Sequence, residues 1–119
     1  MKPLTVRIRI DFGPGLAIGP GKIALLEGVQ RTGSLAQAAR DMGMSYRRAW
    51  LLMQSLNEAV REPVTVAATG GRHGGGATVT AAGLALIASY RRLERKLLTE
   101  ARKEMPPFLR AAPRRTNSL

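Results

Sequence analysis

Apolar and polar residues alternate strictly from Leu4 to Phe12. Leu4, Val6, Ile8, Ile10 and Phe12 fall on one side, and Thr5, Arg7, Arg9 and Asp11 on the other. A period of two predicts a half-buried strand. Gly13-Pro14-Gly15 breaks it, and the run to Gly21 reads as loop. The period then lengthens. Ile23, Leu26 and Val29 form a stripe on a helix that Pro20 can open, since the first turn needs no N–H there. Gly33 can stop that helix in a left-handed conformation. Ser34 caps a second helix, whose buried side is Leu35, Ala38, Ala39 and Met42. Gly43 ends it, and Ser45 caps a third.

On the third helix a step of 100° per residue groups Ala49, Leu52, Met53, Leu56 and Val60 toward the core. Arg47, Leu51, Gln54 and Glu58 gather on the far side, with Trp50 and Asn57 on one flank. Pro63 forces the end. Val64 to Ala68 and Ala77 to Val79 read as two short strands separated by a mostly glycine stretch. Thr80 caps a final helix running from Ala81 to about Glu104, closed by Pro106-Pro107. The expected fold is mostly α with a small β wing: a winged helix-turn-helix with an N-terminal strand and a long C-terminal dimerisation helix. Residues 1–105 form one domain in this reading, and 106–119 a basic, disordered tail.

The helix-turn-helix reading rests on what a tight crossing requires. It needs a small residue at the contact, a turn residue that tolerates positive φ, and apolar positions on the second helix. Ala39, Gly43, and then Ala49 and Leu52 supply these in order. Two ordinary core helices joined by a glycine corner would satisfy the same pattern, so charge carries the next step. The 119 residues hold 19 Lys and Arg against 8 Asp and Glu, a formal net charge of +11. Such a balance attracts a polyanion, nucleic acid first and an anionic membrane surface second.

Arg47 and Arg48 sit in the first turn of the third helix, where a cation opposes the helix dipole. A groove-facing terminus accounts for that placement, because arginine can donate two bonds to a guanine edge or clamp a phosphate. Gln54 lies two turns along the side of Arg47. Ser45 and Tyr46 are within reach of bases or phosphates, with Ser45 also a cap, and Ser34 and Gln37 join the candidate DNA contacts from the second helix. Trp50 is read as packing under the wing ahead of stacking on a base. The stretch Gly70-Gly-Arg-His-Gly-Gly-Gly76 lacks the Lys-Ser or Lys-Thr pair of a nucleotide loop. It is read as a wing tip carrying Arg72 and His73 to phosphates, with a flexible hairpin turn as the plain alternative.

Leu86, Tyr90, Leu93, Leu97 and Ala101 form a seam on the final helix. At about 1.5 Å per residue that helix would run roughly 36 Å, beyond what a small core covers. A two-fold dimer is the economical expectation, and a solvent-exposed helix the alternative. There is no cysteine and only one histidine. The acids show no paired spacing within a motif, so no catalytic set, metal site or cofactor site is expected. Without a signal peptide or spanning segment, the expected location is the cytoplasm, at the nucleoid.

Ser45-Tyr-Arg-Arg-Ala-Trp50, followed by Ala68-Thr-Gly-Gly-Arg-His-Gly-Gly-Gly-Ala77 and Leu84, resembles the N-terminal DNA-binding domain of the ModE family of molybdate-responsive regulators. The wider kinship is with the winged helix of LysR-type regulators. The similarity spans about residues 4–100. It implies a homodimer joined through the N-terminal region and the last helix, with the third helix in the major groove. Full-length members also carry C-terminal β-barrel domains that bind molybdate or tungstate. No such site is recognised in these residues, so a stand-alone regulator is expected, or one in hetero-association with a full-length ModE-like regulator.

Three functions compete. The first is a dimeric regulator binding double-stranded DNA at a pseudo-palindromic operator. In it Arg47 and Gln54 read bases, while Arg48, Ser34, Arg72 and His73 rest on phosphates. The second is a basic architectural protein without sequence preference. The third is an interaction module that dimerises with full-length regulators. An enzyme is the reading with least support.

Overall fold

The computed structural model describes residues 4–68 and 76–107. Arg72, His73 and the tail from 108 lie outside the described residues. The elements run β1 (Ile10–Gly13), β2 (Leu16–Ile18), α1 (Pro20–Thr32), α2 (Leu35–Asp41), α3 (Tyr46–Ala59), β3 (Thr65–Ala67), β4 (Ala77–Val79) and α4 (Ala81–Glu104). The two strand pairs are separate antiparallel ladders, β1 with β2 and β3 with β4.

The N-terminal strand differs from expectation. Burial alternates from Leu4 to Ile10 as the sequence period requires, but ladder pairing begins only at Ile10. Its partner β2 lies inside the segment read as loop. Asp11 pairs with Ala17 and Gly13 with Leu16, which leaves Phe12 as an extra residue between them. Such a bulge breaks the two-residue alternation. Phe12 is accordingly 54% exposed instead of sharing the buried side of Ile8 and Ile10.

Helix α1 is the centre of the core. Ile23, Leu26 and Val29 are buried as its stripe predicts, and Leu25 and Gly28 are buried with them. The reason is that α2, α3, α4 and β4 all pack around this one helix. Gly28 marks the closest approach: a methyl group added there would stand 2.9 Å from Ala38 Cβ. Gly33 closes α1 at φ 69°, as a left-handed stop. Ala38, Ala39, Ala49, Met53, Leu56 and Val64 complete most of the interior. Leu52 and Val60 pack on its margin, and Met42 is exposed.

Helix α4 is fixed at its start by Gly83, where an added methyl would press on the Val64 carbonyl and lie 2.6 Å from Val79 Cγ1. One turn past Leu86, Tyr90 is buried and its hydroxyl donates to Ile8 O at 2.6 Å. Desolvation raises the Tyr90 phenol pKa above its ordinary value, with Glu94 adding to the effect. Arg91 Nε donates to Glu27 Oε2 at 3.0 Å, joining α4 to α1, and Arg91 Nη1 donates to Glu94 Oε1 at 2.7 Å within α4. Beyond this point α4 leaves the core, and the molecule measures 55 × 31 × 26 Å. No helix among the described residues is long and apolar enough to cross a membrane.

Candidate nucleic-acid interface

The α2–α3 unit is built from short-range bonds that the sequence announces. Ser34 Oγ accepts from Gln37 N at 3.0 Å, so the first residue of the unit is a cap. After Asp41 the chain turns at Gly43, with φ 70°, and Met44 N donates back to Ala39 O at 3.0 Å. Ser45 Oγ then accepts from Arg48 N at 3.1 Å and starts α3. Ala49 faces inward with no exposed surface, which lets α3 settle against the small residues of α2.

The opposite face of α3 is open. Arg47, Leu51, Gln54 and Glu58 are exposed, as the wheel predicts, and Arg48 is exposed with them. The first turn of α3 holds no acidic residue. Among the described residues neither Arg47 nor Arg48 makes an ion pair or side-chain hydrogen bond. Their guanidinium groups therefore present all their donors outward. Tyr46 and Trp50, 51% and 45% exposed, lie on the flank nearest the strands. Gln37 is differently placed: its amide donates to Asp41 Oδ1 at 2.8 Å and accepts from Arg40 Nη2 at 2.7 Å. Both ends of that side chain are engaged on α2 itself.

The wing root is clamped on three sides. Ala77 N donates to Gly33 O at 3.1 Å, and Ser34 bridges to Gly76, so β4 is tied to the corner between α1 and α2. Thr80 N donates to Val64 O at 3.0 Å, and Thr80 Oγ1 to Pro63 O at 2.6 Å. The third tie is Asn57. Its Oδ1 accepts from Val64 N at 2.8 Å, and its Nδ2 donates to Thr65 Oγ1 at 3.3 Å, joining α3 to β3. Sequence alone placed Asn57 only on a helix flank. A polar residue six positions before a proline stop was the available signal. Between α3 and the wing runs a cleft lined in part by Trp50, Met53, Gln54, Asn57, Thr65 and Val66. Trp50 therefore does sit at the wing, with nearly half its surface still open.

The α4 seam divides. Tyr90 belongs to the chain's own interior, and Leu86 is half-buried against the same core. Leu93 and Leu97 are each 37% exposed, and Ala101 is half-buried beside them. Those three lie on the part of α4 that outruns the core.

A capped helix pair crossing at a glycine turn, followed by a two-stranded hairpin rooted at the start of that pair, defines a winged helix-turn-helix. No protein-family model matches the chain. Individual relatives do. The molybdenum-pterin-binding protein MopB of Rhodobacter capsulatus is 44% identical over 94 residues, 76% of this chain and 35% of MopB. The molybdenum transport protein ModE of Azotobacter vinelandii is 39% identical over 88 residues, 74% of this chain and 33% of its own length. The DNA-binding transcriptional dual regulator ModE of Escherichia coli K12 is 39% identical over 71 residues, 60% of this chain and 27% of its own. The chain carries a ModE-family domain. It spans about a third of the length of these curated relatives. These relatives are named as regulators, transport proteins or molybdenum-pterin-binding proteins and not as enzymes.

Proposed function

We propose that the protein is a sequence-specific transcriptional regulator that binds double-stranded DNA as a homodimer, with α3 in the major groove. The observation that carries this is the outward face of α3. Arg47 and Arg48 stand there unpaired among the described residues, one turn from the cleft beneath the wing. Arg47 and Gln54 are the base readers in this reading. Arg48, Ser45, Tyr46 and Ser34 hold the backbone, with Arg72 and His73 reaching it from the wing. Gln37 orients Arg40 toward a phosphate instead of contacting a base, given its two bonds within α2. The exposed Leu93 and Leu97 with Ala101 support a two-fold partner along α4, and a two-fold protein reads two half-sites about one helical turn apart.

Selection of bound fragments from random DNA, with and without molybdate, tests this reading through recovery of a palindrome. On the recovered site Arg47→Ala lowers discrimination at one base pair by about 1–3 kcal/mol. Arg72→Ala instead weakens binding to all sequences and flattens the salt slope. Equal losses on specific and random duplex for Arg47→Ala would remove its base-reading role. The net charge of +11 favours one second reading, an architectural DNA-binding protein. That reading expects promoter fragments and random duplex to compete equally.

A further inference from the structure

We infer that Leu51 is a specificity-determining residue that recognises the C5-methyl group of thymine; this rests on the DNA-binding reading above. A single exposed leucine on a helix needs no explanation in general, since folded proteins expose much apolar surface. The position of this one does. Leu51 is 49% exposed and lies on the side of α3 opposite buried Ala49, Met53 and Leu56. Its neighbours Leu52 and Met53 pack with the core, and Trp50 lines the wing cleft. Leu51 belongs to neither group. It lies instead along a shallow depression with Ser45, Arg47, Arg48 and Leu52. Nor is it near the α4 seam in sequence or on the same element.

The outward face of α3 therefore reads, in order, Arg47, Leu51, Gln54 and Glu58. Two groups able to make bidentate bonds to base edges flank one apolar side chain, and an acid follows where the helix ends. In the major groove the apolar feature that separates one base from the others is the thymine methyl. A rise of about 1.5 Å per residue sets Leu51 roughly 6 Å beyond Arg47 along the helix, one or two base pairs from the base that Arg47 meets. Glu58 repels phosphates at the far end, which confines close contact to the turns of α3 before it, where Arg47, Leu51 and Gln54 sit.

The test uses the full chain on the site recovered from random DNA, with each thymine replaced singly by deoxyuridine, which lacks only the methyl. The wild type is expected to lose about fourfold in affinity at one thymine of each half-site, the factor carried by one buried methyl group. Leu51→Ala and Leu51→Gln are expected to bind the thymine and deoxyuridine sites equally there. Both variants alter an exposed position, and an unchanged melting curve verifies their fold. Wild-type indifference to every replacement overturns the role of Leu51 while leaving the regulator reading intact. Persistence of the fourfold discrimination in both variants does the same. Recovery of no preferred site overturns the two together.

Discussion

Asn57 does at one position what two secondary-structure elements need done. Its carbonyl oxygen satisfies the N–H of Val64, a residue with 1% of its surface exposed, and its amide reaches Thr65. Removing the acceptor strands a buried donor, which costs about 1–3 kcal/mol. Asn57→Ala should lower stability by that amount in denaturant unfolding, and should weaken DNA binding beyond the loss in folded fraction, because β3 loses its tie to α3. Asn57→Asp keeps the acceptor and should recover most of the stability. Residue-level features of this kind divide by range. The caps Ser34, Ser45 and Thr80 and the stops Gly33 and Gly43 were legible because their partners lie within five residues along the chain. The Asn57 bonds were not, since they depend on where β3 comes to rest.

At the scale of elements, periodicity located the four helices of the described residues but misread the first strand and the last seam. The alternation from Leu4 to Phe12 says which side chains face inward, not which strand pairs with them. A bulge at Phe12 leaves no trace in the hydrophobic pattern. The seam on α4 looked continuous because Leu86, Tyr90, Leu93 and Leu97 share one face. Folding assigns its first half to the chain's own core, through the bond from Tyr90 to Ile8, which lies 82 residues away in the sequence. That bond has a pH signature. Burial raises the Tyr90 pKa, so the folded state holds the phenolic proton more tightly than the unfolded chain does. Its contribution is complete below the unfolded value near pH 10 and is lost as pH rises through the higher folded value. Wild type should therefore lose stability above about pH 10 relative to Tyr90→Phe. Below that pH, Tyr90→Phe should be less stable by about 1 kcal/mol in thermal or denaturant melts.

For the whole molecule, the question is what covers the part of α4 that extends past its own core. Leu93 and Leu97 are not required by the interior, so Leu93→Glu with Leu97→Glu should leave the protomer folded. On the dimer reading the double variant sediments as a monomer. It should also bind a full palindrome no better than a half-site, because the second half-site is no longer delivered with the first. An unchanged sedimentation coefficient would place the partner surface elsewhere. Charge at this scale was readable from composition alone and the outward side of α3 from its wheel, whereas the lack of an acidic partner for Arg47 and Arg48 among the described residues needed the fold.

The hydrogen bond from Ala77 to Gly33 and the bridge between Gly76 and Ser34 have a mechanical consequence. They fasten the root of the hairpin to the residues that launch α2, while Asn57 fastens its other strand to α3. The gap between hairpin root and α3 is therefore set by the protein itself, like the jaws of a caliper locked at one opening. On the DNA-binding reading, a duplex whose groove and backbone already match that gap is gripped at little cost. One that does not must be bent or squeezed to fit, so the stiffness of the DNA between its contacted bases enters the choice of site.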